Sequence, residues 1–269
     1  MTASPVASPH PVFPTSPDGV PSGVIRSGDY TLTFADSLEA LDAALRLRFG
    51  VFNLELREGL DQSFTTGRDE DEFDIHLHHL LVTHRPSNEV VGTYRMQTAT
   101  MAARHLGFYS AGEFDLTQLP PEVIADAVEI GRACVAREHR TGRVLHLLWR
   151  GLAEYLGWNR KRYLFGCCSL TSQDMTLGVR VHRYLQTRGQ EHEAYRAPPL
   201  PELACVSSTP VPTDGDSEIR IPALFQSYLS LGAKTCGAPA IDRLFKTIDF
   251  LVLLDTATLD ERVYRSFFG

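Results

Sequence analysis

One stretch constrains the fold of this chain more than any other. It is Glu129-Ile-Gly-Arg-Ala-Cys-Val-Ala-Arg-Glu138, continued by His-Arg-Thr-Gly-Arg143 and then Val144-Leu-His-Leu-Leu-Trp149. Residues 128–136 read as an extended strand, Arg140-Thr-Gly-Arg143 as a basic turn, and 142–158 as an amphipathic helix ending near Gly157. Tyr163-Leu-Phe-Gly-Cys-Cys-Ser169 follows as a strand of buried type, and Ser172 to Arg188 as a helix stopped by Gly189. A central strand–turn–helix–strand–helix unit calls for a layered α/β architecture around a mixed sheet. The turn also aims backbone N–H groups, backed by a helix dipole, at one spot, which is how a chain holds a phosphate without a metal. Glu129 and Arg132 lie just upstream, close enough to act on whatever that phosphate carries.

The flanking segments supply the other layers. Tyr30-Thr-Leu-Thr-Phe34 alternates as a strand, and Asp36 or Ser37 can cap a helix through Leu38, Leu41, Ala44, Leu45, Arg48 and Val51. After the acidic stretch Gly67 to Asp74 come two strands, 78–84 and 89–97, joined by Arg-Pro-Ser-Asn turn chemistry. Gly107 to Phe114 reads as an irregular loop and 198–217 as a long Pro-rich one. A helix from Pro222 to Gly232, a strand Ile248 to Asp255 and a short final helix close the chain. Residues 1–27 are Pro- and Ser-rich and read as a disordered tail. Residues 28–269 then form a single domain with a C-terminal extension from about 218.

At 269 residues and 43% apolar content, the chain can bury a substantial core. No apolar run is long enough to span a bilayer, and the N-terminus lacks a secretory pattern. The five cysteines show neither CxxC nor metal spacing, which fits free thiols in a reducing cytoplasm. The net charge of −7 disfavours nucleic acid but is unevenly spread. Residues 130–190 carry eleven basic and three acidic side chains, a net of +8, leaving −15 on the rest. A basic block on an acidic protein suits an anionic ligand or an acidic partner.

These residues resemble the GNAT acyltransferase superfamily, in the branch that holds acyl-homoserine lactone synthases and ornithine-lipid N-acyltransferases. Arg137-Glu-His-Arg140-Thr-Gly142-Arg143 is similar to the superfamily's acyl-carrier loop, with Arg140 where the general pattern has Gly. Arg48-x-x-x-Phe52, Asp71-x-x-Asp74, Arg95 and Glu129-x-x-Arg132 match lactone-synthase motifs, although the tryptophan expected after Phe52 is absent. The C-terminal run, residues 221–240 with 247–255, looks like the ornithine-lipid synthase tail. The resemblance covers roughly residues 30–269. It implies a GNAT fold: a mixed central sheet with a splayed parallel strand pair, flanked by helices.

It further implies transfer of a 3-hydroxyacyl chain from acyl carrier protein, or from acyl-CoA, to the α-amine of ornithine or a similar amino acid. This is the first step of aminolipid synthesis, with no tightly bound cofactor and no metal. Glu129 would accept the amine proton, and Tyr184 in Tyr-x-x-x-x-Gly189 would protonate the leaving thiolate. The phosphopantetheine would lie on Val135, Ala136, Arg137, Arg140, Thr141, Gly142 and Arg143. The amino acid would meet Arg48, Asp71, Asp74, Arg95 and Arg132. Backbone N–H groups near Cys134 to Ala136 would polarise the thioester carbonyl, provided that a bulge turns Glu129 and Arg132 to one face.

Simpler roles stand beside each of these. Glu129 can merely pair with Arg132 or Arg95, Tyr184 can be ordinary helix packing, and Asp71 and Asp74 can be a solvated loop. His76, His78 and His79 suit strand packing more than a metal, and Cys167 and Cys168 lack a partner histidine for nucleophilic work. The expected location is cytoplasmic, with peripheral contact to the inner membrane because the product is amphipathic. The alternatives are homoserine-lactone synthesis from S-adenosylmethionine and a non-catalytic acyl-carrier sensor.

Overall fold

The computed structural model describes residues 13–206 and 219–268. A nine-stranded sheet runs through it. Its strands are β1 (Ile25–Ser27), β2 (Tyr30–Phe34), β3 (His78–His84), β4 (Glu89–Thr98), β5 (Ala127–Val135), β6 (Tyr163–Leu170), β7 (Lys234–Thr235), β8 (Ala240–Asp242) and β9 (Thr247–Asp255). The order is β1-β2-β3-β4-β5-β6-β9-β7, with β8 also on β9. Among the described strands, only β5 and β6 run parallel. All the other pairs are antiparallel, so the sheet is mixed, as the sequence pattern requires.

The helix α5 (Gly142–Asn159) returns the chain from β5 to β6. Its buried stripe of Val144, Leu147, Leu148, Gly151, Leu152, Tyr155 and Leu156 follows helical spacing. Removing each large apolar member of that stripe from water contributes roughly 1.5–3 kcal/mol. Gly151 marks the closest approach to the sheet: a Cβ there would come within 2.6 Å of Leu80. The helix α1 (Leu38–Phe49) is capped by Ser37, whose side chain accepts from the Ala40 N–H. Its buried positions are Leu41, Ala44, Leu45 and then Arg48, so an apolar stripe ends in a cation. The chain continues as a π-helical turn over Gly50–Glu55, which replaces the α-helical end expected at Val51.

Shorter helices α2 (Ser63–Thr66), α3 (Ala99–Arg104) and α4 (Pro121–Ala125) connect the strands. The helix α6 (Met175–Thr187) starts later than Ser172 because Asp174 is its N-cap. The C-terminal residues supply α7 (Ala223–Ser230) and α8 (Glu261–Phe268). They also supply β9, which pairs with the whole length of β6, so the extension completes the sheet.

The tail expected to be disordered through residue 27 is partly placed. A 3-10 turn at Pro17–Gly19 is held by Trp158 Nε1 donating to the Asp18 carbonyl and Asn159 Nδ2 donating to that of Gly19. β1 pairs with β2. Composition alone misses these contacts because the donors sit 140 residues away. Residues 1–12 of that expected tail, and 207–217 of the expected loop, lie outside the described residues.

Candidate active site

The site begins where β5 departs from regularity. Thr93 faces Cys134 and Arg95 faces Gly131, so Arg132 and Ala133 together oppose Tyr94. This is a β-bulge, and Arg132 carries it with φ +48°. The bulge brings Arg132 to the face already occupied by Glu129, which i,i+3 spacing along a regular strand would not do.

On its other edge β5 pairs with β6 only from Ala127↔Tyr163 to Glu129↔Phe165, and then the two strands part. Gly166 stands at the parting, where a Cβ would lie 2.1 Å from the Ile130 carbonyl oxygen. Beyond it, the Ala136 N–H donates to Val91. The alternation of the strand therefore turns the N–H of Val135 toward the gap. Of the N–H groups expected to polarise a carbonyl, the one on Ala136 is already taken.

A cavity of about 550 Å³ fills the gap. Residues from both faces of β6 line it, Phe165, Cys167 and Ser169 on one side and Leu164 and Cys168 on the other. One half is apolar, walled by Leu145 and Leu148 of α5, Phe225 and Tyr228 of α7, and Val252 and Leu254 of β9. The other half is polar and holds Arg95, Arg132, Glu129, Glu58, Asp242 and Asp249. Val135, Arg140, Thr141 and Gly142 close the end where α5 begins.

The basic turn at that end divides. No side chain caps the first turn of α5, whose N-cap residue is Thr141, so its leading N–H groups stay available to an anion. Arg140 extends across the mouth, donating to the Val135 carbonyl and, through both terminal nitrogens, to Glu55 at 2.6 and 2.8 Å. Arg137 is exposed, and neither it nor Ala136 or Arg143 lines the cavity. Arg143 lies instead against Gly28.

Glu129 is buried and saturated. Its carboxylate accepts from Gln97 Nε2 at 2.6 Å, from the backbone N–H of Tyr109 at 2.9 Å and of Ser110 at 2.7 Å, and from the Ser110 hydroxyl. It pairs with neither Arg132 nor Arg95. With four donors on two oxygens, little remains to take a proton from an amine. Its evident work is to fix the turn Tyr109–Gly112, part of the segment expected as an irregular loop.

Behind the polar wall lies a buried ion network. Arg48, fully buried, donates to Asp69 at 2.7 Å and to both oxygens of Asp74 at 2.6 and 3.2 Å. Arg95 reaches Asp71 at 2.5 Å and Asp74 at 2.9 Å, and Arg132 reaches Asp71 at 3.1 Å. Three guanidiniums thus meet three carboxylates with no net charge. Burial raises the pKa of Asp74, but Arg48 and then Arg95 outweigh it and hold the carboxyl well below its ordinary range. Of the five residues expected to meet an amino acid, Arg95 and Arg132 line the cavity. Arg48, Asp71 and Asp74 instead stand behind and orient them. Arg132 is sandwiched near the rings of Phe245, at 4.1 Å, and Tyr109, at 5.0 Å. Asp69 was missed as a member, although it belongs to the same acidic run.

Tyr184 is not brought to the site. It sits half-buried on α6, outside the cavity wall, with the Arg188 guanidinium 3.9 Å above its ring. The buried face of α6 is Gly178, Val181 and Leu185, and Tyr184, three residues beyond Val181, packs on the core at the margin of that stripe. Its side chain packs on the core beside the cavity and does not line it.

The weaker signals resolve similarly. His78 Nδ1 lies 2.7 Å from the Tyr155 hydroxyl, His79 Nε2 donates to the Asp74 carbonyl, and His76 stacks on His105. Burial lowers His78 and His79 to about 4, so both are neutral packing groups. All five cysteines are free thiols. Burial, then Glu113 and Asp249, push the Cys167 thiol well above its ordinary range, the opposite of an activated nucleophile.

Comparison with known proteins fixes the family. A model of the acetyltransferase (GNAT) domain matches residues 47–150, the segment that carries the bulge and the basic turn. An L-ornithine N(alpha)-acyltransferase of Brucella abortus is 31% identical, with 96% of this chain and 94% of that protein covered. The same is true at 30% identity, over 91% and 86%, for the protein of that name in Agrobacterium fabrum. The chain belongs to this acyltransferase family. It is therefore an enzyme that transfers acyl groups, built on a GNAT-type mixed sheet. Among solved structures, the acyl-homoserine lactone synthase LasI aligns with a TM-score of 0.47 at 14% identity, over 93% of this chain and 96% of that one. FeeM, an N-acyl amino acid synthase from uncultured soil microbes, aligns with 0.47 at 11%, over 88% and 94%.

Proposed function

We propose that this enzyme moves a fatty acyl group, in its 3-hydroxy form, from a phosphopantetheine thioester to the α-amine of ornithine, the opening step of an aminolipid. The observation that carries this reading is the cavity in the β5–β6 gap, apolar on the α7 side and polar on the other. A thioester carbonyl placed in the gap would put its chain among Leu148, Phe225 and Tyr228, and its carbonyl near the N–H of Val135. The amine would approach from the Arg95–Arg132 side. Relatives at about 30% identity carry the name L-ornithine N(alpha)-acyltransferase, which supports ornithine as acceptor.

The chemistry asks mainly for positioning, because amide formation from a thioester is downhill. Arg132 and Arg95, held rigid by Asp69, Asp71 and Asp74, would bind the acceptor's α-carboxylate. The uncapped start of α5 and Arg140 would bind the phosphate of the carrier arm, with phosphate displacing Glu55 from Arg140. The basic residues between 130 and 190 would attract an acidic carrier protein in preference to acyl-CoA. Glu129 serves as a positioning residue for the Tyr109–Gly112 turn. Membrane contact would follow from the amphipathic product, although no helix among the described residues is long and apolar enough to cross a membrane.

The test is to mix the purified protein with 3-hydroxyacyl carrier protein and ornithine. Free thiol and N-acylornithine should appear in equal amounts. Absence of both with carrier protein and with acyl-CoA would refute the reading.

A further inference from the structure

The polar half of the cavity contains a second group of charges that the ion network leaves unanswered. Asp249 on β9 lines the cavity, as does Asp242 at the end of β8. Glu113, just after the Tyr109–Gly112 turn, reaches the same point. One oxygen each of Glu113 and Asp249 lies with Cys167 Sγ in a group whose atoms are all within 4.8 Å of one another. Glu113 is 6% exposed and Asp249 4%, yet Glu113 Oε2 and Asp249 Oδ1 have no hydrogen-bond partner. Asp242 Oδ1 accepts from the N–H groups of Leu244 and Phe245, which fixes its carboxylate beside the pair.

The arginines on the same cavity are committed elsewhere: Arg95 and Arg132 to Asp69, Asp71 and Asp74, and Arg140 to Glu55. Buried carboxylates without a cation are costly: they hold a proton until a cation supplies the missing charge. Burial, then the charges of Asp249 and Asp242, push Glu113 well up; burial and Asp242 push Asp249 up against hydrogen bonds with Ser169, Glu113 and Thr247, so the two carboxyls hold each other while a cation is absent.

We infer that Glu113 and Asp249, with Asp242 beside them, form the subsite for the side-chain ammonium of the acceptor amino acid, and so select a cationic acceptor. A primary ammonium offers three donors, enough to satisfy both open oxygens at once. The subsite shares the Glu129 face of the sheet, since Asp249 pairs with Ser169 two residues beyond Cys167. An acceptor held there by its side chain leaves its α-amine free to reach the gap. Glu129 contributes indirectly, because the turn it clamps leads into Glu113. The inference rests on the acyl-transfer reading above. Asp71 and Asp74 are not open to that ammonium, since both already accept from arginine.

The experiment uses the full chain and its Asp249→Asn and Glu113→Gln variants. Each is assayed with a fixed 3-hydroxyacyl carrier protein against ornithine, lysine and norvaline, the last being the neutral acceptor. The wild type should prefer ornithine to norvaline at least tenfold in kcat/KM. Each variant should lose about tenfold to hundredfold on ornithine, chiefly through KM, so that the preference collapses toward one. Titration calorimetry of wild type with ornithine and norvaline, without acyl donor, should show the same preference and needs no variant to fold. Equal use or equal binding of ornithine and norvaline by the wild type overturns the subsite. So does a variant whose losses on both acceptors are equal, or a stoichiometric metal ion found in the cluster by elemental analysis. If the wild type acylates no amino acid yet binds ornithine over norvaline, the acyl-transfer reading fails and the subsite stands.

Discussion

Replacing Arg48 by methionine removes the one cation at the end of the α1 stripe while keeping the volume and the helix. Arg48 is fully buried, as is Asp69, and Asp74 is 3% exposed. Three hydrogen bonds, at 2.7, 2.6 and 3.2 Å, disappear together. Asp74 keeps Arg95, but Asp69 keeps only Arg132 at 3.4 Å. Breaking one side of a buried pair typically costs about 3–5 kcal/mol, because the other charge is stranded. For a domain of this size that corresponds to a fall in Tm of roughly 6–20 °C. Thermal and urea unfolding followed by circular dichroism will measure it.

The pH dependence has a definite sign. The Asp74 pKa is depressed in the folded protein, so its contribution is complete above about pH 4, the unfolded value, and is lost as pH falls below that. In the methionine variant burial meets less opposition, the folded pKa rises, and the acid limb of the stability curve moves to higher pH. A loss below about 1 kcal/mol, the range of exposed pairs, would refute the claim that this network braces the acceptor wall.

Other expectations are more local. Tyr184→Phe should change kcat by less than about twofold in steady-state assays, since the hydroxyl lies outside the cavity; a drop of tenfold or more, about 1.4 kcal/mol, would restore it as the acid. Glu129→Gln exchanges an acceptor oxygen for a donor facing the N–H groups of Tyr109 and Ser110. It should cost about 1.5–3 kcal/mol of stability and lower kcat/KM at least tenfold, with carrier binding retained. Unchanged turnover would contradict that positioning role. Gly166→Ala forces its Cβ against the Ile130 carbonyl and should destabilise by about 1–3 kcal/mol, with reduced acyl transfer. A variant as stable and active as wild type would show that the strands need not approach there.

The sequence carried the elements well where period and turn chemistry agree, as in β3 with β4 and in the strand–turn–helix from β5 to α5. It carried the ion network in part: Arg48, Asp71, Asp74, Arg95 and Arg132 were all recognisable, but their division into a front pair and a supporting back row depends on packing. Glu113 and Asp249 left no local signal, because they are distant in sequence: the β6–β9 register places Asp249, and the turn that Glu129 clamps places Glu113. Tyr184 shows the opposite situation. The motif match reads Tyr184 as a site residue, whereas helical spacing puts it at the margin of the stripe of Gly178, Val181 and Leu185, packed on the core outside the cavity lining.

The most direct measurement is tandem mass spectrometry of the product formed from ornithine, locating the acyl group on the α- or the δ-nitrogen. With the side-chain ammonium held by Glu113 and Asp249 and the α-amine facing the gap, the acyl group belongs on the α-nitrogen. Acylation at the δ-nitrogen, or no acylornithine at all, would contradict the account.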